Sequence, residues 1–319
     1  MCAYFISADW SKDPTKRSVY VADIDKKSIQ KKNPKTEYWN LKALLDLANS
    51  LRGSGPVLIG VDVVLGVSDG YWRMVREKSE RHKPKNFVDW LSRIDPDSDF
   101  FHINTDSREW HVDRPWFRVP KGEGGLRSFT DLVCDGFRRC IDRATNAKPV
   151  FAVSGIPGVV GGATRCFWRE LIPALTCGDR EFTIWPFEND LSGLLHQDSI
   201  FLCETYPGIA YATALAEADE LPTRRLIVSK TKREQRNEVC ELLKEANWVK
   251  DNEIELGELE ALVKNDDDFD AHLTAAAAMR CVIEKRRLTS RGWIDEIAEG
   301  SMLLVGTVNL AQRGRRFQP

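Results

Sequence analysis

The alternation of apolar and polar positions along the chain predicts an α/β protein. Residues 3–9 and 17–24 have strand patterns separated by a polar turn, and residues 27–37 permit a short third strand. Residues 40–53 place apolar side chains at helical spacing, and residues 56–66 form an almost continuous apolar run, typical of a strand covered on both faces. The chain is therefore expected to begin with an antiparallel hairpin, a helix and a central strand.

The rest of the chain continues this alternation after an irregular segment. Residues 68–126 have weak periodicity and four tryptophans, which predicts an insertion or lid over one face of the sheet. Further patterns predict strands at 148–158, 181–187 and 199–208, and helices at 126–144, 161–175, 209–219, 232–246, 257–264 and 268–287. We interpret residues 1–319 as a single domain, with a disordered basic tail at 312–319.

Composition narrows the class of protein. Hydrophobic residues make up 42% and charged residues 29% of the 319 positions, as in ordinary soluble globular proteins. The N-terminal residues resemble neither a signal nor a transit peptide, and the longest apolar run is too short to span a bilayer. The eight cysteines include no CxxC pair, which argues against zinc ribbons and favours a reducing, cytoplasmic location. The net charge of −2 gives no global signal for nucleic acid.

Acidic residues occur where predicted strands end. Asp9, Asp62 and Glu204 each follow an apolar strand, and strand ends are where α/β sheets bind ligands. A long alanine-rich helix opens with Asp267 and Asp270, which are three positions apart and share a helix face. Asp268 is an alternative to Asp267 as the functional acid, although the spacing favours Asp267. Helix capping and solvent exposure explain Asp266, and they explain Asp268 if Asp267 is the functional acid.

Convergence of these acids would require protonation or a cation. Like charges about 4 Å apart repel by several kcal/mol at the effective dielectric of a protein near its surface. Either some carboxyls are protonated or a hard cation neutralises them, and Mg²⁺ or Mn²⁺ is the natural guest for oxygen ligands. Two such ions would clamp the attacking and leaving oxygens of a phosphodiester.

In this arrangement the chain resembles the ribonuclease H-like superfamily. The DDFDAH motif at 267–272 resembles the Holliday-junction resolvase branch of that superfamily. The chain as a whole resembles an uncharacterised family of predicted nucleases with this fold, and the segments that carry the resemblance are ISADWS (6–11), IGVDVVLGV (59–67), SGIPGVVGGATR (154–165), IWPFE (184–188), CETYP (203–207), DDDFDAHLTAAAA (266–278) and RGWI (291–294). The resemblance implies a mixed sheet flanked by helices, with a metal-dependent nuclease-like site formed by Asp9, Asp62, Glu204, Asp267 and Asp270.

Two further segments have features of phosphate-binding sites. The glycine turn at Gly161 and Gly162 precedes Thr164 and Arg165, so backbone amides at a helix start could bind phosphate, although a structural turn explains the pattern equally well. Residues 223–236 hold six basic residues and one acid, which is typical either of a phosphate-backbone contact or of a solvated helix face. Lys230, Lys232 and Arg236 are the candidates there for binding nucleic acid.

The sequence thus predicts a metal-dependent phosphodiesterase, a nuclease acting on DNA or RNA with two Mg²⁺ or Mn²⁺ ions. Asp9 and Asp62 would be shared ligands, Asp267 and Asp270 would complete the two ion sites, and Glu204 would bind metal or orient water. Two alternatives use the same fold: a nucleotide-handling or phosphotransfer protein related to the actin-like kinases, and a non-catalytic adaptor.

Overall fold

The computed structural model describes residues 2–79, 82–121, 125–133, 135–156, 158–191 and 199–317. Its strands are β1 (Tyr4–Asp9), β2 (Ser18–Asp23), β3 (Ser28–Lys32), β4 (Val57–Val61), β5 (Phe117–Arg118), β6 (Ala152–Ser154), β7 (Thr183–Ile184), β8 (Ile200–Glu204), β9 (Leu226–Ile227) and β10 (Arg315–Arg316).

The helices alternate with these strands. They are α1 (Leu41–Arg52), α2 (Asp69–Lys78), α3 (Phe87–Leu91), α4 (Gly125–Ser128), α5 (Thr130–Val133), α6 (Cys140–Thr145), α7 (Gly161–Thr176), α8 (Pro207–Leu215), α9 (Arg233–Glu245), α10 (Asn247–Asp251), α11 (Leu259–Lys264) and α12 (Asp266–Ile283). None of the described helices combines the length and apolar composition that crossing a bilayer requires.

A six-stranded mixed sheet organises the molecule, in the order β3-β2-β1-β4-β8-β7. β2 pairs antiparallel with β1 and with β3, whereas β4, β8 and β7 continue in parallel from β1. The α/β class with an antiparallel hairpin and parallel strands, flanked by helices, is therefore confirmed. The carboxyl ends of β1, β4 and β8 lie side by side at one edge.

Two hydrophobic cores cover the two faces of the sheet, as the period of two in a strand requires. In β1, Ile6 and Ala8 belong to the core that contains α1 and α7, whereas Phe5 belongs to the core that contains α8 and α12. The buried alanines of α12, residues 275–278, allow this helix to lie directly on β1 and β2. The same helix therefore brings its N-terminal acids to the carboxyl edge of β1.

The irregular segment 68–126 contributes aromatic side chains to the α1–α7 core. Trp72, Trp90 and Trp116 are buried there, and Trp116 packs edge-on against Trp168 of α7 at a ring-centroid distance of 5.3 Å. These tryptophans therefore form core structure. Residues 80–81 and 122–124 of the predicted insertion lie outside the described residues.

The prediction of one continuous helix over residues 126–144 is wrong. Short helices α4, α5 and α6 replace it, and Arg139 takes an extended conformation immediately before α6. Gly70 of α2 packs so closely against Gly136 that an added Cβ would lie 2.4 Å from the carbonyl oxygen of Gly136. Tertiary packing thus breaks a helical pattern that is continuous in the sequence.

Two further boundaries differ from the predictions. β4 ends at Val61 rather than at residue 66, and the backbone amides of Val64 and Leu65 bind the side chains of Thr164 and Glu204 instead of a neighbouring strand. The tail predicted to be disordered forms β10, which pairs in parallel with β9. Residues 318–319 of that tail lie outside the described residues.

Candidate metal centre

Three aspartates converge at the carboxyl edge of the sheet. Asp9 ends β1, Asp62 follows β4, and Asp270 lies in the second turn of α12. One carboxylate oxygen from each lies within 4.8 Å of the others. Asp9 and Asp270 are 7% and 1% exposed, whereas Asp62 is only partly buried. We refer to these three residues as the acid cluster.

Strand geometry explains this convergence. Asp9 follows Phe5 and Ser7 on the face of β1 that contacts α12, and Asp62 continues the same face of β4 from Leu58 and Gly60. An added Cβ on Gly60 would lie 2.5 Å from Thr205 Cγ2 and 2.6 Å from the ring of Phe5. The glycine therefore permits the close packing beneath the acids.

Two side chains bind Asp270 from outside the sheet. The Tyr211 hydroxyl of α8 donates to Oδ1 of Asp270, and the Lys230 ammonium donates to Oδ2. Burial alone would lower the pKa of Lys230, but the carboxylates of Asp270 and Asp9 raise it overall. Lys230 is therefore a cation within the acid cluster, and not the free phosphate contact predicted from the sequence.

The carboxyls of the acid cluster have raised pKa values. Burial raises the pKa of Asp9 well above its ordinary value, and Asp270 and Asp62 raise it further. Burial raises the pKa of Asp62 to about 7, with Lys230 opposing the shift and Asp270 adding to it. Burial also raises the pKa of Asp270 against the effects of Lys230 and Tyr211. One ammonium does not fully compensate three carboxylates, so the cluster favours an additional cation or a proton.

Asp267, rather than Asp268, lies beside the acid cluster. Burial raises the pKa of Asp267, and a hydrogen bond with Asp9 opposes that increase. Asp268 instead accepts from Ser18 Oγ at 2.5 Å and from Lys31 Nζ at 2.7 Å, which joins α12 to the hairpin. The helix cap is Asn265, whose side chain accepts from the amides of Asp267 and Asp268. Of the two candidates, Asp267 is therefore the one beside Asp9, and its role as a metal ligand remains a prediction.

Glu204, predicted as a metal ligand or water-orienting residue, is held in a different cluster. It follows Ile200 and Leu202 in β8, which face the α1–α7 core, so its side chain leaves the sheet on the face opposite Asp62. Arg139 binds both carboxylate oxygens of Glu204 at 2.6 and 2.7 Å, and the Leu65 amide adds a contact at 2.7 Å. These contacts occupy the carboxylate, so the predicted role of Glu204 is not supported by its geometry.

A buried guanidinium organises this second group of acids. Arg139 also binds Asp142 at 2.8 Å, and both side chains are about 1% exposed. Burial raises the pKa of Glu204 to about 7, and Arg139 opposes that shift. We refer to Arg139, Asp142 and Glu204 as the Arg139 cluster.

The glycine turn before α7 has a structural role at two of its predicted positions. The Thr164 hydroxyl is fully buried and accepts from the Val64 amide at 3.1 Å. An added Cβ on Gly161 would lie 2.4 Å from the carbonyl oxygens of Val150 and Ala152. Gly162 and Arg165 are half-buried, and burial lowers the pKa of Arg165. Thr164 and Gly161 therefore serve packing, which corrects their assignment as phosphate ligands.

The predicted basic track also divides into different roles. Arg236 is 6% exposed and donates to the carbonyls of Leu262, Val263 and Lys230. It therefore fixes the loop that carries Lys230, and its assignment to nucleic-acid binding is wrong in this structure. Lys232 is exposed at the start of α9.

Two adjoining cavities open beside the acid cluster, and Asp62 lines both. The larger, of about 480 Å³, also contains Tyr211, Arg225, Lys230 and Asp270 in its walls. The other, of about 330 Å³, extends past Glu204 to Lys148. A molecule bound in these cavities could therefore reach Asp62 from both and Asp270 from the larger one.

Comparisons with protein-family models, with curated proteins and with solved structures gave no match.

Proposed function

We propose that this protein is a metal-dependent phosphodiesterase that acts on nucleic acid. The observation that carries the proposal is the acid cluster: three carboxylates from β1, β4 and α12 with oxygens within 4.8 Å of one another, beside an open cavity. Buried carboxylates this close are costly unless something neutralises them. Buried, closely spaced charged groups of this kind cluster at functional sites.

The architecture supports a ribonuclease H-like fold within this proposal. β2 is antiparallel to its two neighbours, and β1, β4 and β8 continue the sheet in parallel. Acids at the ends of the first and fourth strands, together with an acid on a helix that covers the hairpin, agree with the arrangement that the sequence resemblance implies. Fold alone does not identify an activity, so the site carries more weight.

The donor set suits a hard divalent cation. All three groups offer carboxylate oxygens, which Mg²⁺ and Mn²⁺ prefer, and the cluster includes neither cysteine nor histidine. Asp9, Asp62 and Asp270 would hold one ion, and Asp267 beside Asp9 is the candidate ligand for a second. When bound, such ions would polarise the phosphoryl group and lower the pKa of water.

The surrounding residues would orient the ligands and admit the substrate. Tyr211 and Lys230 restrain the two oxygens of Asp270. Arg236 holds the backbone carbonyl of Lys230, which fixes the start of that side chain. Asp62 faces the cavity that a phosphodiester would enter. These positions separate a buried supporting side of the site from an accessible side.

The Lys230 contact favours a second candidate, a non-catalytic adaptor that binds no metal. In that case the ammonium of Lys230 would be the permanent counter-ion of the acid cluster. The nucleotide-handling alternative has less support, because Gly161 and Thr164 of the glycine turn are used in packing.

Hydrolysis tests the proposal directly. Purified protein with Mn²⁺ or Mg²⁺ should cleave single-stranded or double-stranded DNA or RNA, and Asp62→Asn should reduce the rate by about 100-fold or more, the loss typical of removing a group that stabilises the transition state. Lys42→Gln is the matched control, because Lys42 is exposed on α1. Equal rates in wild type and Asp62→Asn would overturn the proposal.

Lys230→Met separates the two candidates. Removal of the ammonium leaves the acid cluster without its internal cation, so the metal-free variant should unfold at a lower temperature. If the cluster is a metal site, Mn²⁺ should restore that loss. If Lys230 is a permanent counter-ion, Mn²⁺ should restore nothing, and the adaptor would be favoured.

A further inference from the structure

A small arginine-rich ribbon lies next to the cavity of the acid cluster. It consists of β9 and β10, which pair in parallel with Arg315 opposite Leu226 and Arg316 opposite Ile227. The two segments around these strands hold five arginines: Arg224, Arg225, Arg313, Arg315 and Arg316. We refer to residues 224–228 and 313–317 as the basic ribbon.

The basic ribbon is continuous with the candidate site. Residues 225–228 line the cavity that also contains Asp62 and Asp270. Arg225 Nη1 lies 3.5 Å from the hydroxyl of Tyr206, another cavity residue. The Arg225 side chain also passes over Gly314, where an added Cβ would lie 3.2 Å from Nε. Arg225 therefore links β10 to the wall of the cavity.

The arginines of the ribbon are only weakly compensated. Among the described residues Arg315 forms one ion pair, with Glu220 at 3.9 Å, and both side chains are about half exposed. Arg224 donates to the neutral Gln312 at 2.6 Å. Arg313 and Arg316 are exposed and form no ion pair with any residue in the described ranges. In a chain of net charge −2, this is a strong local concentration of positive charge.

We propose that the basic ribbon binds the phosphates of a nucleic-acid strand and directs that strand towards the acid cluster. This inference rests on the proposed function and deepens it by naming the binding surface. Several cations distributed along a ribbon match a chain of phosphates better than one small anion. Guanidinium groups bind phosphate oxygens in a bidentate manner, which favours arginine at such contacts. Tyr206, half-buried in the same cavity, offers a ring on which a base could stack.

Binding without catalysis tests this surface. Fluorescence anisotropy with a labelled single-stranded oligonucleotide of about 20 nucleotides should be measured in EDTA over a range of salt concentrations. Arg315→Gln/Arg316→Gln should weaken binding by about 10-fold. It should also reduce the slope of log affinity against log salt concentration by about 1–2, because binding with fewer phosphate contacts releases fewer counterions. Unchanged affinity and slope would overturn the proposal.

The matched control is Lys35→Gln/Lys42→Gln. These two lysines are exposed and line another cavity, beside α1. The control should bind the oligonucleotide as wild type does, and an equal loss in both double variants would mean that only total charge matters, which contradicts the proposal. Polyglutamate of similar length should displace the labelled oligonucleotide poorly. If polyglutamate displaced it as well as the unlabelled oligonucleotide does, the assignment to nucleic acid would be overturned.

The design separates this inference from the proposed activity. If wild type cleaves no substrate with Mn²⁺ but the ribbon variant still loses oligonucleotide affinity, the catalytic proposal fails and the binding surface stands. If wild type cleaves and the ribbon variant keeps full affinity, the activity stands and the ribbon proposal fails.

Discussion

Two groups of buried acids lie at the same edge of one sheet, and they differ in how their charge is compensated. In the Arg139 cluster, one guanidinium binds both Glu204 and Asp142 through paired short contacts. In the acid cluster, a single ammonium that is itself 37% exposed faces three carboxylates. Both carboxylates of the Arg139 cluster are therefore ion-paired, whereas in the acid cluster the ion pairs among the described residues include Asp270 but neither Asp9 nor Asp62. Position at a strand end therefore does not separate these two groups of acids, but direct ion pairing does.

The largest expected effect tests the structural side of this comparison. Arg139→Met should lower the free energy of unfolding by about 3–5 kcal/mol, because it leaves buried carboxylates unpaired. Urea denaturation measures the change. Arg169→Met is the control, since its ion pair with Asp97 is exposed and should contribute about 1 kcal/mol or less. Similar losses in both variants would contradict the structural role of the Arg139 cluster.

The next effect tests the functional side. Mn²⁺ at 100 times its Kd should stabilise wild type by about 2.7 kcal/mol, observed as a rise in Tm. Asp62→Asn should abolish that rise, yet without metal the variant should be at least as stable as wild type, since one uncompensated charge is gone. Differential scanning fluorimetry checks both. A metal-free Asp62→Asn that unfolds several degrees earlier would show that Asp62 is a structural acid.

The pH dependence of stability should be smaller and has a defined sign. Burial raises the pKa of Asp62 to about 7, so the folded protein holds a proton that the unfolded chain releases near pH 4. The stability associated with that proton is complete below the unfolded pKa and is lost as the pH rises through about 7. The full rise in pKa from about 4 to about 7 corresponds to about 4 kcal/mol, and solvent screening of the partly buried Asp62 carboxyl should reduce the loss to about 2 kcal/mol without metal.

Asp62→Asn should remove part of that pH dependence and leave the part that comes from the other buried acids with raised pKa values, Asp9, Asp270 and Glu204. Urea denaturation at pH 5 and pH 8 measures both contributions. Stability that increases with pH in metal-free wild type would contradict the raised pKa of Asp62.

The smallest effect concerns the glycine turn. Thr164→Val removes the acceptor of the Val64 amide and should cost about 1–2 kcal/mol of stability. It should not change Mn²⁺ or oligonucleotide affinity, both of which are measurable by titration. A specific loss of oligonucleotide affinity in this variant would restore Thr164 as a phosphate ligand.

The sequence predicted the sheet and most of its flanking helices because strand and helix periods are local signals. Asp9 and Asp62 followed from strand ends, and Asp270 from helix spacing. The alternation of side chains along β8 could have shown that Glu204 lies on the other face of the sheet from Asp9 and Asp62, since Glu204 shares the face of Ile200 and Leu202. The partners of these acids were not predictable because they are distant in the chain. Tyr211 is 59 residues from Asp270, and Arg139 is 65 residues from Glu204. The break at Arg139 depends on the same tertiary contact.

The basic segments illustrate the same limit. Positive charge at 223–236 was visible in the sequence, but which bases are free depends on packing. Arg236 is buried against backbone carbonyls, and Lys230 binds Asp270. The exposed arginines of β10 join this region only through the pairing of β9 with β10, which links positions about ninety residues apart. The count of basic residues therefore located the positively charged segment but did not show which of its side chains are accessible.

The most direct test of the central claim is Mn²⁺ binding by isothermal titration calorimetry to wild type, Asp62→Asn and Glu204→Gln, with folding checked by circular dichroism. The account predicts that wild type and Glu204→Gln bind Mn²⁺ and that Asp62→Asn does not. Absence of binding to wild type, or equal loss in both variants, would contradict the claim that the uncompensated acid cluster is the metal site.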